Sequence, residues 1–200
     1  SLEIVVIDNG SNDGSKEKLK ELIGIKLIEN NVNLGYSGGN NIGINYALKK
    51  DFQYILIINN DTIVDKYLFA NLLTNTKKAD IISPKIYFAP GNEFHKDKYK
   101  QEDLGKVMWY AGGKIDWNNV IGSHIGVDEI DTGQFNNKKE IDFATGACML
   151  VSRRVFEKIG LFDSDFWNYY EETDFCHRVW LSGFECWYWP KAVCYHSIGG

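Results

Sequence analysis

The clearest hydrophobic feature of the chain is an apolar run from Tyr54 to Ile58 that ends in Asn59, Asn60 and Asp61. A run without alternating polar positions is typical of a strand covered on both faces, as in a parallel sheet. Sheets of this kind bind ligands just beyond the carboxyl ends of their strands. The polar residues after the run therefore mark a candidate site for a metal ion or a phosphate.

Similar apolar runs alternate with segments of helical spacing over much of the chain. This alternation predicts an α/β fold with a mostly parallel central sheet, flanking helices and right-handed crossovers. The predicted strands are 2–7, 25–28, 54–58, 144–151, 185–188 and 192–195. The predicted helices are 16–23, 40–50, 66–76, 153–159 and 171–182, and a polar loop is predicted at 30–39.

Residues 86–141 depart from this pattern. They carry few helical signals and many glycine and aromatic residues, including Trp109, Tyr110 and Trp117. We interpret them as an insertion of irregular strands and loops within a single domain, 1–200. Because the chain opens on a predicted strand and closes at 197–200 directly after another, we expect the domain to be truncated at both ends.

Composition narrows the classes of function. Of 200 residues, 44% are hydrophobic, which is enough for one sizeable core. The net charge of −5, with no long basic block, argues against nucleic acid as a partner. The longest apolar runs hold about six residues, far short of the roughly 20 in a membrane helix, so we expect a cytoplasmic protein. The four cysteines show no CxxC spacing, and we expect reduced structural thiols.

Polar residues also follow the first predicted strand. Asp8 and Asn9 could hydrogen-bond a nucleobase or ribose at the strand end, or could form an Asx turn before a capped helix. Further on, Gly38, Gly39 and Asn40 open a predicted helix, so their backbone N–H groups could face a diphosphate. The segment is neither a Walker A loop nor a GxGxxG fingerprint, and taken alone it favours a tight loop with a helix cap.

The residues after the third predicted strand could bind a metal ion. Hard divalent cations prefer carboxylate oxygens, as Asp61 would supply, and His196 could add a nitrogen ligand from the same sheet edge. The alternatives are an N-cap role for Asp61, with Asp65 as a second cap candidate, and a structural role for His196. The other histidines show no comparable context: His95, His124 and His177.

An acidic cluster opens the last predicted helix. On a helix Glu171 and Asp174 share a face, whereas Glu172 points about 100° away, so the three carboxyls cannot serve one purpose. A carboxylate at a helix start beside aromatic rings could have raised basicity and act as a general base. The alternative is favourable acidic charge in the first turn, with Asp174 paired to Arg178.

The order of these motifs resembles glycosyltransferase family 2, especially its bacterial rhamnosyltransferase-like members. The resemblance covers nearly the whole chain and is weakest between residues 87 and 107. The motifs are Asp-Asn-Gly-Ser at 8–11, Asn-Leu-Gly-Tyr-Ser-Gly-Gly-Asn-Asn-Ile-Gly at 33–43, Asn-Asn-Asp at 59–61, Gly-Ala-Cys-Met-Leu at 146–150, Tyr-Glu-Glu-Thr-Asp at 170–174 and the closing His196.

The resemblance implies a GT-A fold, an inverting mechanism and a nucleotide-diphosphate sugar donor. Residues 1–84 would bind the nucleotide, and residues 85–200 would bind the acceptor and carry out catalysis. The family's usual first strand and helix would precede Leu2. The residues implied to bind the nucleotide sugar are Asp8, Asn9, Gly38, Gly39, Asn40, Asn60 and Asp61.

The metal motif at 59–61 implies Mg²⁺ or Mn²⁺, held by Asp61 with His196. The motif at Glu171 and Glu172 implies catalysis, with the second acid as the base, and Asp174 lies in the same cluster. The chain departs from the family where many members have Asp: Asn9, Asn59 and Glu172.

We therefore expect transfer of a sugar to a hydroxyl of a saccharide or lipid-linked acceptor in cell-surface polysaccharide synthesis. Rhamnose carried on thymidine diphosphate is the first candidate donor, and a lipid-linked acceptor would bring the protein to the inner face of the plasma membrane. The alternatives are a non-catalytic nucleotide-sugar-binding module of a larger assembly and a sugar nucleotidyltransferase. The latter would normally carry basic residues in a glycine-rich loop after its first strand, where this chain has Asp8.

Overall fold

Apolar strands and helices alternate in the computed structural model, which describes residues 2–74, 76 and 79–197. The helices are α1 (Ser15–Lys20), α2 (Gly35–Lys49), α3 (Leu68–Leu73), α4 (Arg153–Ile159) and α5 (Glu171–Leu181). The strands are β1 (Ile4–Asn9), β2 (Ile25–Asn30), β3 (Tyr54–Ile58), β4 (Thr62–Val64), β5 (Ile81–Phe88), β6 (Met108–Tyr110), β7 (Gly113–Asp116), β8 (Ile121–His124), β9 (Lys139–Glu140), β10 (Cys148–Ser152) and β11 (Cys186–His196).

The central sheet has the strand order β3-β10-β5-β11-β4, with β6 paired to β5 and β9 paired to β11. The α/β class is as predicted, but this sheet is mixed rather than mostly parallel. β10 runs antiparallel between β3 and β5, whereas β11 runs parallel to β5. β1 and β2 form a separate parallel pair, and β7 and β8 form a hairpin in the insertion.

Most predicted boundaries lie close to the observed ones, and those of β3 and α4 coincide. The two strands predicted at 185–188 and 192–195 form one strand, β11, with an irregularity between Trp189 and Val193. The helix predicted at 66–76 is the shorter α3, because Asp65 accepts the Tyr67 N–H in a turn before it. Position 75 lies outside the described residues. The strand predicted from 144 begins at Cys148, after a turn in which the Cys148 N–H donates to the Thr145 carbonyl.

The largest correction concerns the glycine-rich segment, which is helical. α2 begins at Gly35, not at residue 40, so Gly38, Gly39 and Asn40 lie in its first turns. Gly35 has a φ of +71°, and a Cβ there would lie 2.4 Å from the Trp167 carbonyl oxygen. The Tyr36 N–H donates to that same carbonyl at 2.9 Å. A contact with a residue 131 positions away along the chain, rather than local composition, thus sets the start of α2.

A buried ion pair fastens the insertion to the central sheet. Lys85 Nζ in β5 donates to Asp131 Oδ2 at 2.5 Å and to Asn136 Oδ1 at 2.7 Å, and the Tyr87 hydroxyl also donates to Asp131. The charged side chains are 3% and 5% exposed. Burial acts to raise the pKa of Asp131, but the hydrogen bonds from Lys85 and Tyr87 bring it below its usual value. The charges therefore stabilise each other where water does not reach them.

The hydrophobic core surrounds β5, β10 and β11, and all four cysteines are buried free thiols. Side chains at its centre include Ile81, Ile82, Met149, Leu150 and Tyr188. Within the described part of the chain, no helix has both the length and the apolar character needed to cross a bilayer.

The ion pair leads to a prediction about stability. Replacing Lys85 by Met leaves the Asp131 charge buried without its partner, which should lower the free energy of unfolding by about 3–5 kcal/mol. Urea denaturation followed by circular dichroism measures the change. The matched control is Lys16→Met, because the Lys16–Glu29 pair lies at the surface and should contribute little. Equal destabilisation by the two variants would contradict the assigned role of the buried pair.

Candidate active site

The most informative feature of the site is a group of buried polar atoms without hydrogen-bond partners. Among the residues that the structure describes, ten such side-chain atoms occur. Seven belong to five residues singled out in the sequence: two each from Asp8 and His196, and one each from Asp61, Glu171 and Glu172. Buried polar groups in native proteins are nearly always hydrogen-bonded, so such a concentration marks a candidate ligand site.

Asp61 and His196 meet at the edge of the central sheet. Pairing of β4 with β11 places Thr62 opposite His196, and the Ser197 N–H donates to the Asp61 carbonyl at 2.8 Å. His196 Nε2 lies 3.0 Å from Asp61 Oδ1 without the alignment of a hydrogen bond. Because Asp61 is followed by β4 and not by a helix, its alternative role as an N-cap is excluded. Asp65 takes the turn-forming role instead.

These two side chains fit a divalent cation. An octahedral ion with bonds of about 2.1 Å places adjacent ligands about 3.0 Å apart, which matches the observed separation. Burial lowers the pKa of His196 despite the nearby Asp61, which favours the neutral imidazole that binds metals. Within the described residues, no cluster of three or more His, Cys, Asp or Glu could hold an ion. Further ligands would come from a diphosphate and water, as is usual for Mg²⁺.

Asp8 and Asn9, at the end of β1, have different environments. Asp8 is 3% exposed, and both of its carboxylate oxygens lack partners. Asn9 is fully engaged: its Nδ2 donates to Asn33 Oδ1 and to the Gly35 carbonyl, and its Oδ1 accepts from Asn30 Nδ2 and the Leu34 N–H. The structure therefore leaves Asp8 free for a ligand, whereas Asn9 joins the ends of β1 and β2 to the start of α2.

The glycines of α2 serve close packing. A Cβ at Gly39 would lie 3.1 Å from Asn9 Nδ2, and one at Gly38 would lie 2.7 Å from Leu34 Cβ. Asn40 Nδ2 donates to the Tyr36 carbonyl within the helix. Gly38 and Gly39 thus let α2 approach β1 and its own first turn. This observation favours the structural alternative over a diphosphate-binding loop for these two positions.

The start of α5 carries two carboxyls with raised pKa values. Glu171 is 4% exposed, and burial together with the neighbouring Glu172 charge raises its pKa to about 7. Burial also raises the pKa of Glu172, although the backbone amides of Glu172, Gly146 and Thr173 partly offset this. Tyr169 and Tyr170, just before the helix, both have positive φ. Left-handed backbone at two successive bulky residues is strained and is typical of functional sites.

Glu172 faces a cleft of about 490 Å³ between α5 and the β7–β8 hairpin. Sequence reasoning did not single out His124, yet His124 lines this cleft, where burial lowers its pKa to about 4. Its position depends on the fold of the insertion, which motif order does not predict. Other lining residues are Gly122, Ser123, Tyr169 and Tyr170.

Asp174 and Tyr36 complete the surroundings of the acidic pair. Asp174 Oδ2 accepts from Arg178 Nε at 2.8 Å, which favours the structural alternative for this residue. The Tyr36 hydroxyl, which sequence reasoning missed, donates to the Gly146 carbonyl at 2.6 Å. A Cβ at Gly146 would lie 2.5 Å from that hydroxyl, so any other residue there would require the Tyr36 ring to shift. The glycine in the motif at 146–150 was the available signal for this contact.

Comparison with known proteins agrees with the motif order. Residues 1–160 match the family described as Glycosyl transferase family 2. The chain is 32% identical to the low-salt glycan biosynthesis hexosyltransferase Agl10 of Haloferax volcanii, over 88% of the chain and 53% of Agl10. It is 27% identical to the dTDP-rhamnosyl transferase RfbF of Shigella flexneri, over 98% of the chain and 60% of RfbF. The chain thus spans between half and two thirds of the length of these relatives. The resemblance noted in the sequence is confirmed.

Solved structures resemble the fold. GalNAc-T7, crystallised with UDP, GalNAc and Mn²⁺, superposes with a TM-score of 0.73 at 20% identity, over 97% of this chain and 37% of that one. The mannosyltransferase PcManGT of Pyrobaculum calidifontis, in complex with GDP-Man and Mn²⁺, superposes with a TM-score of 0.61 at 15% identity, over 98% of this chain and 48% of that one. These likenesses confirm the predicted GT-A fold.

The raised pKa of Glu171 leads to a prediction about pH. The folded state holds the proton up to about pH 7, while the unfolded chain releases it near the usual value of 4.5. Stability should therefore fall as the pH rises between about 5 and 8, and Glu171→Gln should remove this loss.

Melting temperatures of both proteins from pH 4.5 to 8.5 measure the effect. We expect the difference to be small at the acidic end and to grow in favour of Glu171→Gln as the pH rises. The surface change Glu102→Gln is the control. A difference that does not vary with pH would contradict the assignment.

Proposed function

The chain belongs to glycosyltransferase family 2, and on this premise we propose that it transfers a sugar from a nucleotide-diphosphate donor with inversion at the anomeric carbon. The observation that carries the proposal is Glu172, which lines an open cleft and whose Oε2 has no hydrogen-bond partner among the described residues. A base of raised pKa beside a substrate-sized cleft is what removal of a hydroxyl proton requires. The unpartnered atoms of Asp8, Asp61 and His196 then correspond to the donor.

Donor binding would use the ends of β1 and β3. The buried Asp8 carboxylate could accept an N–H hydrogen bond from a nucleobase and would be left unsatisfied without one. Uracil, thymine and guanine all offer such an N–H, so this contact does not select among them. Since the name of RfbF specifies dTDP-rhamnose, that donor is the first to test.

Asp61 and His196 would hold Mg²⁺ or Mn²⁺ beside the donor diphosphate, near the exposed Asn60. A cation bound there would neutralise the charge that develops on the leaving diphosphate.

The acceptor would occupy the cleft beside α5. Tyr169 and Tyr170 are 75% and 54% exposed, and their ring faces can pack against the C–H faces of a sugar. We propose a saccharide hydroxyl as the nucleophile, either free or on a lipid carrier. A lipid carrier would place the reaction at the inner face of the plasma membrane.

In the transfer step the acceptor oxygen forms a bond to the anomeric carbon as Glu172 takes the hydroxyl proton. The bond from that carbon to the diphosphate oxygen breaks, and its electron pair leaves with the nucleoside diphosphate. Attack from the face opposite the diphosphate inverts the configuration. Desolvation makes Glu172 more basic than an exposed glutamate, which favours this proton transfer.

The first functional prediction concerns the base. Glu172→Gln keeps the size of the side chain and loses its basicity, so kcat should fall roughly 10²–10⁴-fold while donor affinity is nearly unchanged. Release of nucleoside diphosphate, assayed over a panel of nucleotide sugars and saccharide acceptors, measures turnover. Calorimetry measures donor binding.

Glu157→Gln is the matched control, because Glu157 lies on α4, exposed and paired with Arg153. It should behave as wild type. If Glu172→Gln also turns over like wild type, Glu172 is not the base. If wild type binds the donor but transfers nothing, the alternative of a non-catalytic binding module gains support.

The second functional prediction concerns the metal. Asp61→Ala removes one of two protein ligands of the metal. Loss of a group that only orients a metal ligand weakens metal binding by ~10–100-fold. The Mn²⁺-dependent affinity for a nucleoside diphosphate should therefore fall by at least that factor. Calorimetry with dTDP, UDP and GDP, with and without Mn²⁺, measures it.

Asp65→Ala is the control for the metal site, because Asp65 lies four residues away and caps a turn. We expect its Mn²⁺ dependence to equal that of wild type. Unchanged Mn²⁺-dependent binding by Asp61→Ala would reject the site.

A further inference from the structure

The Trp109 indole contacts two imidazoles. Its ring centroid is 4.3 Å from that of His196 and 4.6 Å from that of His124. His196 faces Asp61, whereas His124 lines the cleft beside Glu172. The interplanar angles are 75° with His124 and 46° with His196, so the contacts are edge-on and tilted. The three rings therefore form a contiguous cluster that extends from the candidate metal site to the acceptor cleft, which we call the ring cluster.

Each ring of the ring cluster comes from a different strand. Trp109 is in β6, His124 ends β8 and His196 ends β11. β5 pairs with both β6 and β11, so Trp109 and His196 reach each other across β5. His124 is also enclosed by the rings of Tyr110 and Phe143, at 5.0 and 5.9 Å. His124, at the cleft end of the ring cluster, is thus held in place.

His196 lacks the usual means of orientation. A metal-binding histidine normally donates its other ring N–H to a carboxylate, a carbonyl or water, which fixes the direction of the ring. His196 Nδ1 is buried and has no such partner among the described residues. Its ring contact with Trp109 is therefore the interaction available to aim Nε2 at the site shared with Asp61.

We propose that Trp109 is a positioning residue that holds His196 in its metal-binding orientation, and that His124 supports Trp109 from the acceptor cleft. The proposal rests on the metal role assigned above to Asp61 and His196. It implies that a change in the acceptor cleft alters the metal affinity of a site that it does not touch.

The test is the affinity for Mn²⁺ alone, measured from the electron paramagnetic resonance signal of free Mn²⁺. Trp109→Leu should raise the Kd roughly 10–100-fold, as expected when a metal ligand loses its orienting partner. Trp109→Phe keeps an aromatic face and should stay within about threefold of wild type. His124→Leu should raise the Kd by about threefold or more, because it weakens the ring cluster without changing Asp61 or His196.

Turnover gives a second readout. With Trp109→Leu, the Mn²⁺ concentration for half-maximal rate should rise, while the rate at saturating Mn²⁺ recovers most of the wild-type value. A purely structural defect would not be rescued by metal. Trp180→Leu is the matched control, because Trp180 is 62% exposed on α5 and lies outside the ring cluster.

Each outcome decides the question. If Trp109→Leu folds and binds Mn²⁺ like wild type, the proposal is overturned. If Trp109→Leu does not fold, His124→Leu decides, and an unchanged Kd for that variant overturns the proposal. If Asp61→Ala also leaves Mn²⁺ affinity unchanged, the metal assignment itself fails; if only Asp61→Ala weakens binding, the positioning role alone fails.

Discussion

Burying charged and polar atoms without partners is costly, and this protein does so at three places that the sequence motifs mark. Asp8 ends β1, Asp61 and His196 meet at the end of β11, and Glu171 and Glu172 open α5. Each place is held by interactions that are themselves well satisfied. The hydrogen bonds of Asn9 join β1, β2 and α2, and the Lys85–Asp131 pair anchors the insertion on β5. The fold thereby keeps its unpartnered atoms fixed for a ligand.

Much of this could be predicted from the sequence because some signals are local. The uninterrupted apolar run of β3 and the helical spacing of α4 gave correct boundaries. The order of motifs along the chain identified the family and five of the eight described residues whose buried side-chain atoms lack partners. For Asp61 and His196 motif order works because the carboxyl ends of β3 and β11 lie at the same edge of the central sheet.

The features of the fold and the site that the sequence did not predict depend on contacts between distant segments. The start of α2 is set by the Trp167 carbonyl, and β10 enters the sheet antiparallel, neither of which composition reveals. Asn9 has the sequence context of a ligand-binding residue, yet other backbone and amide groups satisfy it completely. His124 has no local signal at all, because its role arises from the β7–β8 hairpin folding over α5. Such roles follow from tertiary packing rather than from sequence spacing.

We place the metal ion and the donor diphosphate at Asp61 and His196, and the catalytic base and the acceptor at the Glu172 cleft. Trp109 is in ring contact with one histidine of each site. A crystal structure with Mn²⁺ and a nucleoside diphosphate, with an anomalous difference map at the manganese edge, tests this placement most directly. The account predicts one anomalous peak, from a manganese ion bound by Asp61 Oδ1 and His196 Nε2. It also predicts that the nucleobase lies beside Asp8 and that the cleft at Glu172 stays open. Manganese bound elsewhere, or a nucleotide lying in the Glu172 cleft, would contradict it.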